Sequence, residues 1–498
     1  MAALLLTSMV WSGHAQEKNE MDLSGEWAFQ TDVMDFRRGS LDVRYCHRLQ
    51  ESIVLPGITD DYKIGYKSPY RHLDRLTRVY EYMGPAWYQR EIEIPAAWKG
   101  KRIFLYFERT HWLSSVYVGK EEVSKIDYIS IPHNHELTQW LHPGKKELIT
   151  FCIDNRYQYD THKWDHAHSE FTQINWNGVL GEIKLVAVDP VYVDDMQVYP
   201  DIKNKSIKVK MTVRNCTEHT ASGKISFHVS GKDYRLQKEV PVTVTDSITY
   251  IEEEMFLSKD IHLWNEFHPN LYTLDCKLTS SVEGQSYAHE KSTTFGMREV
   301  EAGEDHIILN GEPIHLRGTV ENAVFPKTGY APVDDASWER VLRILKEYGM
   351  NHMRFHSWCP PAAAFRMADK LGVYLEVEMP MWGKDAQPDE KRWNFFRREL
   401  RGILKEYGNH PSFILYCNGN ELTATARQLD NRRLYSGSTA RTRVKSDQFY
   451  ITHQTTKGHM AIYEGRPYTN WDKNKELGVG LPIISHESGQ RCLYPNFE

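Results

Sequence analysis

The sequence predicts a multidomain protein in which two all-β domains precede an α/β domain. Three observations support this prediction. The 498 residues are too many for one ordinary domain. Residues 20–297 carry short β-rich segments divided by turn residues, whereas from about residue 300 strands and helices alternate. The composition, with 41% hydrophobic and 26% charged residues, is that of a globular protein.

Residues 1–15 predict a signal peptide and therefore an exported protein, periplasmic or extracellular. An apolar run at 2–11 is followed by small residues at Gly13 and Ala15, which suit a signal-peptidase site. The run is too short to span a bilayer, so we expect no transmembrane segment there. A buried N-terminal strand is the alternative.

The two predicted β domains differ in their strand pattern. Residues 20–190 contain short strands rich in β-branched and aromatic residues, such as 102–108 and 147–153, which favour a sandwich of jelly-roll type. Residues 191–297 have the length of an immunoglobulin-like sandwich. Segment 206–213 alternates apolar and polar residues, as an antiparallel strand with one solvated face does.

Residues 298–498 predict a (β/α)8 TIM barrel. Apolar strands at 314–318, 352–356, 373–378 and 413–417 alternate with amphipathic helices at 336–348, 361–370 and 390–407. Glycines at positions 349, 372 and 408 close the three helices. Later strands are expected at 434–438, 449–453 and 481–487. Because these make about seven strands, we expect the barrel to be incomplete at its C-terminus.

Charge and cysteine usage exclude several classes of partner. A net charge of −6 gives no reason to expect nucleic acid or an anionic membrane as partner. The seven cysteines include no CxxC pair, so we expect neither a disulfide framework nor a metal site. No cofactor is implied by any motif. The oligomeric state stays open, with a homo-oligomer as one alternative.

Two glutamates each follow an apolar strand of the predicted barrel. Glu421 comes shortly after strand 413–417, and Glu487 closes strand 481–487. The C-terminal ends of barrel strands meet at the mouth where chemistry takes place. Hydrolysis of a glycosidic bond needs two carboxyl groups, one that protonates the leaving oxygen and one that attacks the anomeric carbon or activates a water. For either glutamate alone, a structural carboxylate is the alternative.

The segments around these glutamates resemble those of glycoside hydrolase family 2, which includes β-galactosidases, β-glucuronidases and β-mannosidases. Residues 409–421 are similar to the family's acid/base segment, and residues 482–489 are similar to its nucleophile segment. The likeness extends through 84–90, 263–264, 269–272, 295–298, 309–318 and 351–354.

The resemblance implies a retaining exo-β-glycosidase that acts by double displacement on a carbohydrate substrate, an oligosaccharide or polysaccharide. Glu421 would be the acid/base and Glu487 the nucleophile. Asn420 would bind the sugar 2-hydroxyl, and Arg354 would support the nucleophile, with a salt bridge inside the barrel mouth as the alternative for Arg354. The two carboxyl groups of a retaining pair lie about 5–5.5 Å apart.

The segments expected to line the pocket depart from the galactosidase pattern of that family. Five residues there are candidate sugar contacts, and ordinary packing is the alternative for each: Glu321, His356, Trp358, Glu378 and Trp382. A terminal β-galactoside is the first expectation, because that activity is common in the family, and a β-glucuronide or another sugar specificity of the family is the alternative. A carbohydrate-binding protein without catalytic activity is the alternative of another class.

Overall fold

The computed structural model describes residues 19–34, 49–72, 75–171, 175–382, 389–419, 430–437, 445–452 and 480–485. The predicted signal peptide lies outside the described residues, as do Asn420, Glu421 and Glu487. Within them, two pairs of packed antiparallel sheets are followed by a parallel sheet with helices. None of the described helices is both long enough and apolar enough to cross a membrane. The predicted domain limits stay predictions.

The first unit is a pair of antiparallel sheets. Its strands are β1 (Glu20–Asp22), β2 (Gly25–Thr31), β3 (Glu51–Leu55), β4 (Gly57–Ile58), β5 (Tyr66–Lys67), β6 (Tyr80–Glu81), β7 (Pro85–Glu93), β8 (Arg102–Thr110), β9 (Leu113–Val118), β10 (Glu121–Ile126), β11 (His133–Glu136), β12 (Lys146–Asp154) and β13 (Gly178–Val188). One sheet has the order β1-β13-β8-β11, with β4 also on β13, and the other has the order β10-β9-β12-β7-β2-β3; β5 and β6 pair only with each other, antiparallel. Buried Phe107 and Phe151 pack across the two sheets, with ring centroids 4.8 Å apart.

The second unit also consists of two packed antiparallel sheets. Its strands are β14 (Val191–Asp201), β15 (Ser206–Asn215), β16 (Ala221–Gly231), β17 (Tyr234–Val244), β18 (Ile248–Phe256), β19 (Tyr272–Val282) and β20 (Gln285–Phe295). They form sheets of order β14-β15-β18 and β17-β16-β19-β20. The alternation predicted for 206–213 is confirmed, since Val209 and Met211 are buried whereas Lys208 and Lys210 are exposed.

The third unit opens with a small antiparallel sheet and continues as parallel βα units. Its elements are β21 (Val300–Ala302), β22 (Ile307–Leu309), β23 (Glu312–Ile314), β24 (Gly318–Glu321), α1 (Asp335–Glu347), β25 (His352–Phe355), α2 (Ala362–Leu371), β26 (Tyr374–Glu378), α3 (Glu390–Tyr407), β27 (Phe413–Cys417), β28 (Leu434–Ser436), β29 (Tyr450–Thr452) and β30 (Ile483–Ser485). The parallel sheet runs β24-β25-β26-β27-β28 in chain order, and β29 pairs in parallel with β30.

The strand predicted at 314–318 is wrong. Residues Glu312–Ile314 pair antiparallel with β22, and the first parallel strand is β24, four residues further on. The reason is the turn at Asn310-Gly311, where both residues have positive φ, 56° and 85°. A two-residue Asn-Gly turn of this kind closes a β-hairpin, so the chain reverses before it enters the parallel sheet.

The three predicted helices are confirmed within one or two residues at each end. Helix α1 begins after Asp334, whose side chain accepts a hydrogen bond from the Ser337 N–H at 2.8 Å. Gly372 ends α2 in the left-handed conformation, with φ 68°. Helix α3 buries Phe395, Phe396 and Ile403 on one face, which is the apolar stripe read from the sequence.

A buried arginine joins the second unit to the parallel sheet. Arg298 donates hydrogen bonds to the carbonyl oxygens of Pro411 and Phe413, both at 3.0 Å, and to that of Arg432. Gly296 lies in the same junction, where a Cβ atom would come within 2.7 Å of the Trp264 Cβ. The segment 295–298 therefore needs a residue without a side chain at Gly296 and a long cationic side chain at Arg298 to hold β27 against the second unit.

The first unit packs on helix α3. The Glu399 carboxylate accepts hydrogen bonds from the N–H groups of Ile129 at 2.9 Å and Ser130 at 3.2 Å. Tyr159 stacks on Phe395, with ring centroids 4.3 Å apart. This contact brings the segment between β12 and β13 to the side of the parallel sheet where its strands end.

Candidate functional site

The candidate site lies where the parallel strands β25, β26 and β27 end. Backbone register pairs Arg354 of β25 with Glu376 of β26, and Glu378 with Cys417 of β27. Because alternate residues of a strand point to the same face, Glu376 and Glu378 project to one side of the sheet. Ionisable side chains thus converge at the carboxyl ends of neighbouring parallel strands.

Arg354 and Glu378 form a buried ion pair. Arg354 Nε donates to Glu378 Oε1 at 2.7 Å, and the two side chains are 7% and 0% exposed. The other oxygen, Oε2, accepts the backbone N–H of Ser357 at 2.7 Å. Arg354 therefore makes the salt bridge considered as the alternative from the sequence. Its predicted support of Glu487 involves a residue outside the described part and stays a prediction, as does the contact of Glu378 with sugar.

A histidine of the first unit completes this cluster. The His166 backbone N–H donates to the Ser357 hydroxyl at 2.9 Å, and His166 Nδ1 lies 2.9 Å from His356 Nδ1. Burial, with the neighbouring positive groups, holds the pKa of His356 at about 3 and that of His166 well below its ordinary value. Both rings are therefore neutral near pH 7, and the Nδ1–H of one ring donates a hydrogen bond to Nδ1 of the other. His166 is not among the site residues predicted from the sequence.

Trp382 lies against both histidines. Its ring stacks on His166, with centroids 5.5 Å apart and planes at 24°, and meets His356 edge-on at 4.7 Å. Trp382 is partly exposed, so part of the indole surface is open to solvent. A ring of this kind beside polar groups suits the apolar face of a sugar. The predicted contact of Trp382 and His356 with a substrate stays a prediction.

Trp358 and Glu321 occupy the neighbouring strand end. Trp358 is 5% exposed, and its indole N–H donates to the Glu321 carbonyl oxygen at 3.0 Å. Its ring packs edge-on against Phe355 in the core between sheet and helices, which corresponds to the ordinary-packing alternative. The Glu321 carboxylate accepts the Ala323 N–H at 2.9 Å, and burial raises the pKa of Glu321 to about 7.

Glu376 is fully buried beside the Arg354–Glu378 ion pair, 4.0 Å from Arg354 Nε. The Cys417 thiol donates to Glu376 Oε1 at 3.4 Å, and His352 Nε2 lies 3.7 Å from Oε2. Burial raises the pKa of Glu376 to about 7; Arg354 opposes this rise and Glu378 adds to it. Burial also lowers the pKa of His352 to about 3. A protonated carboxyl beside a neutral imidazole is the arrangement that costs least in such a site.

Glu376, Glu378 and Cys417 bring three ligand atoms within 4.8 Å of one another. Two features disfavour a metal ion there. Both oxygens of Glu378 already bind Arg354 and Ser357. Burial raises the pKa of the Cys417 thiol well above its ordinary value, whereas a metal ligand must be a thiolate. The cluster is therefore better suited to orienting Arg354 than to holding a cation.

The Glu376 carboxyl gives the protein a pH-dependent stability that glutamine at this position removes. Because its pKa rises from 4.5 to about 7 on folding, the folded state keeps a proton that the unfolded chain releases in that range. This contribution to stability is full below pH 4.5 and is lost as the pH rises to about 7. As the pH rises from 4.5 to about 7, we expect the free energy of unfolding of Glu376→Gln to increase relative to that of wild type, as measured by urea unfolding. Glu390→Gln, at an exposed position, serves as the control. A difference in unfolding free energy between wild type and Glu376→Gln that does not change with pH would contradict the prediction.

Comparison with known proteins gives a consistent result. Residues 191–298 match the family model described as "Glycosyl hydrolases family 2". A curated β-galactosidase of Thermoanaerobacter pseudethanolicus is 23% identical over 339 residues, which are 68% of this chain and 44% of that protein. A β-glucuronidase of Paenibacillus borealis is 22% identical over 525 residues, covering 95% of this chain and 83% of that protein. The crystal structure of a Bacteroides uniformis β-glucuronidase superposes with a TM-score of 0.64 at 20% identity, over 81% of this chain and 47% of that one.

The matches differ in how much of each relative's length this chain covers. The chain spans about half the length of several of the proteins it matches, 44% of the T. pseudethanolicus enzyme and 47% of the B. uniformis structure. At 20% identity, the likeness to a solved structure shows a common multidomain, mostly β architecture. The names of the relatives divide between β-galactosidase and β-glucuronidase.

Proposed function

We propose that this chain is a member of glycosyl hydrolases family 2 and that it hydrolyses terminal β-linked sugars with retention of configuration. The observation that carries the proposal is the buried Arg354–Glu378 pair at the ends of parallel strands. Strand β27 ends at Cys417, opposite Glu378 and four residues before Glu421 in the sequence. Strand β30 ends at Ser485, two residues before Glu487.

In this proposal, Glu421 protonates the leaving oxygen while Glu487 attacks the anomeric carbon. Glu421 then takes a proton from the water that releases the sugar from Glu487. Asn420 would hold the 2-hydroxyl of the sugar, a contact that strengthens in the transition state. The Arg354–Glu378 pair would set the charge beside the nucleophile, and Trp382 with His166 and His356 would form one wall of the sugar pocket.

The domain types and the location of the protein are part of the same proposal. We infer that the first unit is a jelly-roll sandwich, the second an immunoglobulin-like sandwich and the third a TIM barrel that carries the chemistry. Support comes from the paired antiparallel sheets of the first two units and from the chain-order parallel strands of the third. The apolar run at 2–11 supports export.

For the sugar, we propose a galactoside first and a glucuronide as the alternative. The relatives named as β-galactosidase support the first, and those named as β-glucuronidase support the second. The two differ in the charge at the sugar C6, since a glucuronide carries a carboxylate there. The neutral pair His166 and His356 provides hydrogen-bonding groups without a fixed charge, which suits an uncharged sugar.

A panel of 4-nitrophenyl β-glycosides tests the proposed function. We expect wild-type protein to hydrolyse the galactoside or the glucuronide and to release the sugar first as its β-anomer, seen by NMR. The double variant Glu421→Ala/Glu487→Ala controls for contaminating activity. Release of the α-anomer would contradict a retaining mechanism. Saturable sugar binding without hydrolysis of any glycoside would support the alternative of an inactive carbohydrate-binding protein.

A further inference from the structure

The segment between β12 and β13 carries a surface that the proposed chemistry does not use. Its residues 160–171 are held by Asp165, which is fully buried and accepts hydrogen bonds from the Thr161 hydroxyl at 2.7 Å and the Ala167 N–H at 3.0 Å. The segment is fixed to the strand ends because the backbone N–H of Trp382 donates to the Thr161 carbonyl oxygen at 3.3 Å. The bond from His166 to Ser357 adds a second attachment. The segment is therefore ordered before any ligand arrives.

Aromatic rings and cations lead outward from Trp382 along this segment. Trp164 meets Trp382 edge-on, with centroids 5.9 Å apart. The Lys163 ammonium lies 5.5 Å from the Trp164 ring and 5.6 Å from the Phe171 ring. The Arg75 guanidinium lies 5.2 Å from the centroid of the Phe171 ring. Trp164 and Phe171 are 44% and 45% exposed, so the row opens from the buried histidine cluster into solvent.

The charges beside this row favour an anionic ligand. Lys163 forms no ion pair with any residue in the described part of the chain. The acidic side chains of the segment have other partners: Glu170 lies 3.1 Å from Arg78, Asp160 lies 3.6 Å from Arg392, and buried Asp165 accepts hydrogen bonds from Thr161 and Ala167. Burial also raises the pKa of Glu170. The positive charge of Lys163 is thus not cancelled by its own segment.

We propose that Trp164, Phe171, Lys163 and Arg75 form a second carbohydrate-binding surface, which takes the acidic, uronate-containing part of an oligosaccharide whose terminal sugar enters the mouth. The inference rests on the proposed function, which places the terminal sugar of the oligosaccharide in the mouth. The leaving portion of the same oligosaccharide then lies on this surface. The two exposed rings offer apolar faces to the C–H faces of pyranose units. The Lys163 ammonium, which lies beside both rings, offers charge-assisted hydrogen bonds to a uronate carboxylate. The surface therefore selects a class of substrate that the sugar pocket alone does not define.

Binding measurements on the intact chain test this surface. The probes are hexagalacturonate, a hyaluronan hexasaccharide and carboxyl-reduced hexagalacturonate, which keeps its linkages and loses its charge. We expect at least one acidic probe to bind, with its Kd rising by about tenfold in Trp164→Ala and in Phe171→Ala. In Lys163→Gln we expect a weaker affinity for the acidic probe and a smaller dependence on salt. The reduced oligomer should bind more weakly than its acidic parent.

Two exposed positions far from this surface provide matched controls. Tyr348→Ala removes an aromatic ring that is 79% exposed, and Lys232→Gln removes an exposed cation; both should bind the acidic probe as wild type does. Absence of binding by both acidic probes, unchanged affinity in Trp164→Ala and Lys163→Gln, or equal affinity for the reduced oligomer would overturn the inference. These assays need no turnover, so failure of the proposed function, seen with the aryl glycosides, is recognised separately.

Discussion

Replacing Glu487 by alanine is expected to lower kcat for aryl β-glycosides by a factor on the order of 10⁴ or more, because no covalent glycosyl intermediate can then form. Azide should restore turnover. The small anion can occupy the space left by the carboxylate and attack the anomeric carbon from the same side. Since only one displacement then occurs, the product should be a glycosyl azide of inverted configuration, identified by NMR.

Glu421→Ala provides the contrast that separates the two roles. A leaving group of low pKa needs no proton, so we expect this variant to keep formation of the intermediate with 2,4-dinitrophenyl glycosides and to lose it with alkyl glycosides. Azide should here give a product of retained configuration, because it attacks the intermediate on Glu487. Full activity of Glu487→Ala, or a retained azide product from it, would remove Glu487 from the role of nucleophile.

The elements with a strong local signal could be predicted from the sequence. Helix α3 follows from apolar residues at helical spacing, and its buried face is the predicted one. Strand β27 is a run of five buried residues between polar neighbours, as expected for a strand covered on both faces. In both cases a periodic or continuous apolar pattern determines the structure, so distant residues are not needed.

The entry into the parallel sheet shows where local signals compete. Residues 314–318 have the pattern of a short strand. However, Ile314 belongs to the hairpin closed by the turn at Asn310-Gly311, where it pairs with Ile307. The true first strand, β24, contains Gly318, Thr319, Val320 and Glu321, which form a weak apolar pattern. The Asn-Gly pair was readable as a hairpin signal, and giving it precedence would have moved the strand to its correct position.

The candidate site could be predicted in part, and the missing part is non-local. Arg354 and Glu378 stand at strand ends, and a reading of the strands finds them. His166 contacts His356 across 190 positions of sequence, and no periodicity connects a loop of one unit with a strand of another. Glu376 had a usable signal, since it alternates with Glu378 and must share its face. Two carboxyl groups on one buried face need a cation or a proton: Arg354 pairs with Glu378, and burial favours the protonated form of Glu376 by raising its pKa.

Replacing Arg354 by methionine is expected to destabilise the protein by about 3–5 kcal/mol, because it removes the cation from a buried ion pair and leaves the carboxylate. Arg354 Nε lies 2.7 Å from Glu378 and 4.0 Å from Glu376, both fully buried. Without this charge the pKa of the Glu376 carboxyl should rise further above that of the unfolded chain. The loss of stability should therefore be larger at pH 8 than at pH 5, as measured by urea unfolding followed through tryptophan fluorescence.

Arg366→Met serves as the matched control for this prediction. Arg366 also pairs with a carboxylate, Asp335 at 2.6 Å, but it is 43% exposed on the helical surface, so we expect its loss to cost about 0–1 kcal/mol. Adding Glu378→Gln to Arg354→Met should recover part of the stability, since the uncompensated charge is then gone. If Arg354→Met is no less stable than Arg366→Met, or if the double variant recovers nothing, the buried pair does not set the charge balance at these strand ends.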